Sequence, residues 1–188
     1  VRDLLLGLPP SDFDVSTDAP PPRVVELFPR ARLVGASFGV VLVTGGGAEV
    51  EVATFRSDHA YTDGRHPGRV EFETSPERDV LRRDFTINAL LLDPGTGEVL
   101  DYTGGRADLE RRVIRAIGNP EQRFREDYLR MLRAVRFAAR LGFTIDPDTL
   151  DAIRRLRTLV RQVAAERVRD ELLRILTEGG ARYGFELL

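Results

Sequence analysis

The sequence predicts an α+β chain, in which a domain with a small sheet is followed by a domain made of helices. Two β-prone runs, 38–43 and 48–55, flank three consecutive glycines, and this arrangement is typical of a hairpin. Helical periodicity alone follows Asn119-Pro120. We therefore expect a small mixed or antiparallel sheet within residues 1–118 and an all-helical domain over 119–188.

The other elements can be predicted in chain order. The Asp12-Phe13-Asp14-Val15 segment alternates in polarity, so both aspartates should face one side of a short strand. Glycine and proline interrupt residues 57–76, which predicts a mobile loop. The remaining expected elements are a helix that ends at Gly7, a helix after Pro22, a helix over 84–90, short strands near 99–101 and 113–117, and helices over 121–141, 147–158 and 165–178.

Bulk composition restricts the kind of protein. The 188 residues are 42% hydrophobic, which suits a globular core. The absence of cysteine excludes disulfides and thiolate metal sites, and two histidines are too few for a histidine-rich zinc site. No apolar run has the length of a membrane span and no leader-like segment opens the sequence, so we predict a cytoplasmic protein with no membrane partner.

Charge is distributed unevenly along the chain. Residues 1–105 contain 10 arginines against 17 acidic residues, whereas residues 106–188 contain 18 arginines against 13 acidic residues. This asymmetry fits a metal site in the first part and a phosphate site in the second, although solvated charged helices would give the same pattern. Every basic residue is arginine, which binds phosphate bidentately, and a GC-rich genome would also explain the missing lysine.

Three carboxylates are the candidate metal ligands. Asp12 and Asp14 converge if they share one side of a strand, and hard divalent cations prefer oxygen ligands. Glu51 is the third candidate, because Val50 and Val52 should face the opposite side of its strand. Such a set suits phosphoryl transfer, in which metal ions activate the attacking oxygen and stabilise the leaving one. Taken alone, an Asp-x-Asp pair also occurs in turns and on surfaces.

The first motifs resemble those of class II tRNA nucleotidyltransferases, the family of CCA-adding enzymes and bacterial poly(A) polymerases. The similar segments are Val1-Arg2-Asp3-x-Leu5-Leu6-Gly7, Asp12-x-Asp14-x-x-Thr17 and the strand around Glu51. The resemblance implies that Asp12 and Asp14 bind Mg²⁺, that Glu51 is the third catalytic carboxylate, and that Arg2 lies near the triphosphate. It also implies a nucleotidyltransferase head with a small sheet, followed by a helical neck, with the nucleotide between them.

A second motif, Arg82-Arg83-Asp84-Phe85-Thr86-x-Asn88-Ala89, resembles the ribose and triphosphate motif of this family. By that resemblance Arg83 contacts the nucleotide, Asp84 accepts a hydrogen bond from the ribose hydroxyl, and Asn88 supports both. The chemistry is reasonable, because a carboxylate accepts from a 2′-OH and an arginine balances phosphate charge.

The segment Glu126-Asp127-x-x-Arg130-x-x-Arg133-x-x-Arg136-Phe137 resembles the family helix that selects CTP and ATP. Residues three apart are neighbours on a helix, so Asp127 and Arg130 should lie side by side. An aspartate accepts from the exocyclic amino group of C or A, and an arginine donates to a ring acceptor. Arg133 and Arg136 match positions that line the same site. Surface Asp–Arg pairing is the alternative.

Three further segments resemble family motifs with supporting roles. Residues 56–67 resemble the flexible loop that helps the change from adding C to adding A. Gly105-x-x-Asp108 resembles the link between head and neck, for which we expect a structural role. Glu166–Leu172 resembles the last motif, which we expect to brace the template helix.

The resemblance implies transfer of CMP and AMP from CTP and ATP to the 3′ end of tRNA, with release of pyrophosphate. A poly(A) polymerase of the same family is the nearest alternative, and the Gly35–Gly39 segment lacks the basic pair usual in those enzymes. A non-catalytic nucleotide- or RNA-binding module is a third possibility. The sequence leaves the oligomeric state open.

Overall fold

The computed structural model describes residues 1–10, 12–35, 38–61 and 67–188. These residues form two compact units. Unit 1 contains Val1 and the described parts of Asp3–Ala60 and Pro67–Arg82, and unit 2 contains Arg2, Tyr61 and Arg83–Leu188. The head and neck boundary near residue 119 stays a prediction. No helix in the described ranges is both long and apolar enough to cross a membrane.

Unit 1 is built on a four-stranded sheet of order β1-β4-β3-β2. Strand β1 is parallel to β4, whereas β3 is antiparallel to both β2 and β4, so the expected mixed sheet is confirmed. The elements in chain order are α1 (Arg2–Leu5), β1 (Asp14–Thr17), α2 (Pro21–Leu27), β2 (Ala31–Gly35), β3 (Val40–Gly45) and β4 (Ala48–Thr54).

The hairpin between β3 and β4 follows the sequence prediction. Gly45 pairs with Ala48, and the two glycines between them, Gly46 and Gly47, have φ angles of 59° and 85°. Positive φ at both central positions is what a tight two-residue hairpin turn requires, and glycine adopts it without steric cost. The run of three glycines therefore determines where the strands reverse.

One face of this sheet is packed against α2. Val24 of α2 forms a buried cluster with Val41 and Val52, and Val50 packs partly against it. Because side chains alternate along a strand, Glu51 lies on the opposite face from Val50 and Val52, as predicted.

The prediction of an aperiodic loop over residues 57–76 was wrong for the described part of that range. Strands β5 (Arg56–Tyr61) and β6 (Pro67–Phe72) pair with each other, and α3 (Pro76–Leu81) begins where the predicted loop ends. Backbone hydrogen bonds hold such a two-stranded ladder together, and it does not require alternating apolar residues. Because these segments are polar, the hydrophobic pattern gave no sign of the strands. The side chains are used in ion pairs, such as Arg56 with Asp58 at 3.1 Å. Residues 62–66 lie outside the described ranges.

Unit 2 begins with short elements that pack closely together. The predicted helix over 84–90 is reduced to a single 3₁₀ turn at Thr86–Asn88, because Phe85 instead forms a β-bridge with Ala116. The Thr86 hydroxyl donates to Asp108 at 2.7 Å, which ties the turn to α4. The other elements are β7 (Leu91–Leu92), β8 (Val99–Leu100), α4 (Gly105–Arg111) and β9 (Val113–Ile114).

The rest of unit 2 is helical except for the short β10 (Thr144–Ile145). Helix α6 is largely buried and packs against α8 and α9. The helices are α5 (Pro120–Glu126), α6 (Leu129–Leu141), α7 (Pro147–Leu156), α8 (Ala165–Thr177) and α9 (Ala181–Leu187), with a 3₁₀ segment at Arg157–Gln162.

The predicted single helix over 121–141 is in fact interrupted at Asp127. This residue has extended backbone angles, φ −149° and ψ 108°, and it ends α5. Its Oδ1 accepts a hydrogen bond from the Leu129 backbone N–H at 3.1 Å, at the start of α6. Aspartate readily makes such local hydrogen bonds in place of helical ones, which explains the break.

Gly105 gives a test of the packing between α4 and the Thr86–Asn88 turn. A Cβ atom at Gly105 would lie 2.3 Å from the Thr86 carbonyl oxygen, where no side chain fits. We expect Gly105→Ala to lower the free energy of unfolding by about 1–3 kcal/mol, as overpacking does. Urea unfolding followed by circular dichroism measures this.

The matched control for that substitution is Gly95→Ala in the same unit. Its new Cβ would meet only Oδ1 of Asp93, at 3.3 Å, in an exposed turn and not against backbone. Stability should change by less than about 0.5 kcal/mol, as at ordinary surface sites. Equal stabilities for the two variants would contradict the close packing described here.

Candidate active site

Strand register brings two of the three predicted metal ligands together in unit 1. Asp14 on β1 is the direct partner of Glu51 on β4, and both residues are exposed. Partners in neighbouring parallel strands project from the same face of a sheet, so two negative charges lie side by side. Like charges in this position repel each other, and a divalent cation between them would relieve the repulsion.

Asp12 lies two residues before Asp14 and outside β1, where the prediction had placed it inside the strand. It is exposed. Among the residues that the structure describes, no group of three or more acidic or histidine side chains is close enough to hold a metal ion. The pair formed by Asp14 and Glu51 is thus the part of the predicted set that the fold assembles directly.

In unit 2 five of the eight predicted nucleotide-binding residues form one connected network. The Arg2 Nη1 donates to the Asn88 side-chain oxygen at 2.6 Å, and the Asn88 amide donates to Asp84 Oδ1 at 3.0 Å. The Arg133 Nε donates to Asp84 Oδ2 at 2.8 Å. Arg83 donates to the Asn88 backbone oxygen at 3.3 Å. Five residues from three separate parts of the sequence therefore meet here.

Asp84 lies at the centre of this network and is buried. Its Oδ1 accepts from Asn88 and from the Phe85 backbone N–H, while its Oδ2 faces the Nε and Nη2 of Arg133 at 2.8 and 2.7 Å. A carboxylate has about four acceptor positions, and these contacts use about that number. Asp84 is thus already satisfied by protein groups before any ligand binds.

Two opposing effects set the pKa of Asp84. Burial would raise it, but the charge of Arg133 and hydrogen bonds from Asn88, Arg133 and the Phe85 backbone lower it more. The pKa of Asp84 therefore lies below its ordinary value. Its contribution to folding stability is complete above the unfolded-state pKa of about 3.9 and is lost as the pH falls through the lower folded-state pKa.

The same surroundings keep Arg133 positively charged. Burial would lower its pKa, but the charge and hydrogen bond of Asp84 and the charges of Glu171 and Asp127 raise it above the ordinary value. Asp127 also receives two hydrogen bonds from Arg167 of α8, at 3.3 and 2.8 Å. The carboxylate of Asp127 is therefore held in place by a second helix.

Asp127 and Arg130 do not belong to one helix, although the spacing had predicted that they would. Asp127 has extended backbone, whereas Arg130 belongs to α6 and donates from Nη1 to the Arg123 backbone oxygen at 3.0 Å. The same Nη1 donates to Glu126 at 2.5 Å. The roles of Asp127 and Arg130 in base selection stay predictions.

Arg136 faces the interior of unit 2. It is 4% exposed, and it donates to Glu171 at 2.6 Å and to Glu178 at 3.1 Å. These contacts stabilise the packing of α6 on α8. A contact between Arg136 and a nucleotide stays a prediction.

The last motif, Glu166–Leu172, braces the segment that carries Asp127 and Arg136, as expected, through residues that were not among the predicted site residues. Arg167 holds Asp127, and Glu171 holds Arg136. The two lie four residues apart in α8, a spacing that places side chains on one helix face. That spacing is the signal in the sequence that could have identified them.

Two family models match most of the chain. Residues 1–115 match the poly A polymerase head domain, and residues 142–188 match the model described as "Probable RNA and SrmB- binding site of polymerase A". A CCA-adding enzyme from Levilactobacillus brevis is 46% identical over 184 residues, which are 98% of this chain and 46% of that protein. Poly(A) polymerase I from Escherichia coli is 46% identical over 203 residues, covering 99% of this chain and 42% of that protein.

A solved structure gives a similar result. The CCA-adding enzyme of Bacillus stearothermophilus in complex with CTP superposes with a TM-score of 0.91 at 43% identity, covering 100% of this chain and 45% of that one. The chain spans about half the length of the curated relatives it matches. The head-domain model matches more than half of the residues of this chain. The chain therefore belongs to the family of CCA-adding enzymes and bacterial poly(A) polymerases.

Proposed function

We propose that this chain contains the nucleotidyl-transferring part of a CCA-adding enzyme, which transfers CMP and AMP from CTP and ATP to the 3′ end of tRNA. The observation that supports this most directly is the network joining Arg2, Arg83, Asp84, Asn88 and Arg133. It concentrates three guanidinium groups around a buried ionised carboxylate, and arginine is the residue best suited to bidentate phosphate binding. The 0.91 TM-score match to a CTP complex supports the same conclusion.

Asp12, Asp14 and Glu51 are the proposed ligands for Mg²⁺. When bound, the metal would polarise the α-phosphate and promote attack by the 3′-OH, while pyrophosphate leaves. The adjacency of Asp14 and Glu51 supports this, because oxygen ligands from two strands can converge on one cation. Asp12 supplies a third carboxylate from the segment just before β1.

Arg2, Arg83 and Arg133 are proposed to bind the triphosphate, and Asp127 and Arg130 to read the base. Cytosine and adenine both present an amino group and a ring acceptor, so one acceptor and one donor on the protein accommodate either. The pair of hydrogen bonds from Arg167 supports the assignment of Asp127, because it fixes the carboxylate. The cytoplasmic location stays a prediction.

A poly(A) polymerase is the second candidate, since the Escherichia coli enzyme is as similar in sequence as the CCA-adding enzymes. The Gly35–Gly39 segment favours CCA addition because it lacks a basic pair, although Ala36 and Ser37 lie outside the described ranges. A nucleotide-binding module without catalysis is the third candidate.

The products formed on tRNA distinguish the three candidates. We expect the protein, given CTP, ATP and tRNA that lacks its 3′ CCA, to add three nucleotides and stop, as sequencing of the product ends would show. A long adenosine tail would favour the poly(A) polymerase. Binding of CTP and ATP without any transfer at high Mg²⁺ would favour the non-catalytic module.

The metal site can be tested with charge-neutralising substitutions. We expect Asp12→Ala, Asp14→Asn and Glu51→Gln each to reduce nucleotide incorporation at least about 100-fold, because each removes a ligand of a metal that supplies several kcal/mol to the reaction. Incorporation rates are measured with saturating CTP over a Mg²⁺ titration.

Glu49→Gln is the matched control for the metal-site variants. Glu49 lies two residues from Glu51 on β4, but it accepts from Thr44 at 3.3 Å and lies 3.6 Å from Arg32. Its substitution should leave incorporation within about twofold of the unmodified protein, as for an ordinary surface charge. Full activity in Asp14→Asn would overturn the assignment of the metal site.

The proposed ribose contact of Asp84 has a separate test, because protein groups already use the acceptor positions of its carboxylate. If Asp84 contacts the 2′-OH, Asp84→Asn should reduce the preference for CTP over dCTP by about tenfold or more, the value of a hydrogen bond to a charged group. Arg133→Lys should weaken the binding of CTP and dCTP equally. If Asp84→Asn also weakens the binding of both nucleotides equally, the role of Asp84 is limited to holding Arg133.

A further inference from the structure

Phe137 of α6 is surrounded by three arginines. The guanidinium carbons of Arg2, Arg133 and Arg136 lie 4.9, 5.3 and 4.2 Å from the centre of its ring. All three distances are within the range of about 6 Å over which an aromatic face attracts a cation. Phe85 packs edge-on against the same ring, with centroids 5.9 Å apart and an interplanar angle of 78°, which fixes the ring in place.

Three like charges around one ring repel each other, and they are compensated in different ways. Arg136 is buried and paired with Glu171 and Glu178. Arg133 is paired with Asp84. Arg2 donates to the Asn88 side-chain oxygen. The ring contacts all three cations, and it attracts them through its negative face.

A ring holds an arginine differently from a carboxylate. A carboxylate occupies N–H donors and cancels the charge, so an incoming phosphate has to compete with it. An aromatic face attracts the cation through the quadrupole of the ring and leaves the planar donors and the charge of the guanidinium in place. Arg2 and Arg133 are partly exposed, whereas Phe137 is buried. Both arginines are thus held from the protein side.

We propose that Phe137 is a positioning residue for nucleotide binding. Its ring holds Arg2 and Arg133 in position for an anionic group of the nucleotide, which would contact Arg133 through the donors that Asp84 does not occupy. This inference rests on the proposed function, in which these two arginines bind the triphosphate, and it assigns to Phe137 a role beyond core packing.

The test replaces Phe137 with phenylalanines that carry one, two or three fluorine atoms on the ring. Fluorine withdraws electron density from the ring face while changing its size little, so cation binding weakens in steps and packing is retained. We expect the Kd for CTP to rise at each step, by about five- to tenfold over the series, as loss of a partly buried cation–π contact implies. Isothermal titration calorimetry measures the Kd, and thermal unfolding checks the fold.

Phe124 is the matched control. It is a fully buried phenylalanine of α5 in the same unit, and it packs in the core. The same three fluorinated residues at Phe124 should leave the Kd for CTP unchanged. A stepwise rise at both positions would reveal a general packing effect and overturn the proposal, as would an unchanged Kd throughout the Phe137 series.

A second measurement separates this proposal from the proposed function. Nitrogen-15 spectra of the arginine side chains report the surroundings of the Arg2 and Arg133 Nε–H groups without any nucleotide. Stepwise shifts of both signals in the fluorinated Phe137 series would support positioning by the ring. Those shifts in a protein that does not bind CTP would overturn the proposed function alone, whereas CTP binding with unshifted signals would overturn the role of Phe137.

Discussion

The ion pair between Asp84 and Arg133 is the interaction on which the candidate nucleotide site depends. It connects residues 49 positions apart, one just before a 3₁₀ turn and one in the middle of α6. Arg2 is linked to it through Asn88, and Phe137 lies one turn further along α6. Removing Arg133 would leave the buried carboxylate of Asp84 without its cation, which destabilises the fold. The Asp84–Arg133 ion pair therefore determines both the positions and the charges of the side chains in this site.

Helix α8 supports that site through two contacts of the same kind. Arg167 holds Asp127 by two hydrogen bonds, and Glu171 lies between Arg136 and Arg133. The use of arginine alone as a basic residue suits this arrangement, because a planar guanidinium can bind one carboxylate while its face contacts a ring. A lysine ammonium could supply the charge but not both contacts. The use of arginine in place of lysine therefore suits the contacts that these side chains make in unit 2.

Local signals in the sequence were enough to predict the β3–β4 hairpin and the short strand that contains Asp14, but not β2. The glycines around Gly46 determined the turn, and alternation placed Glu51 opposite Val50 and Val52. The pairing of β5 with β6 was not predictable in this way, because it depends on backbone hydrogen bonds between polar segments. The break at Asp127 was not predictable either, because helical periodicity continues across it. The helix is interrupted by the hydrogen bond from the Leu129 backbone N–H to the Asp127 side chain. Contacts such as Arg2 with Phe137 arise only from tertiary packing.

The register of β1 on β4 has a consequence for how sequences of this fold can vary in length. Asp14 and Glu51 meet because their strands are aligned, although α2, β2 and β3 lie between them in the chain. Insertions or deletions in the connecting loops leave that alignment intact. A single inserted residue within β4 before Glu51 would turn its carboxylate to the face now occupied by Val50 and Val52. Length variation should therefore be confined to the loops, and the two strands should retain a fixed residue count.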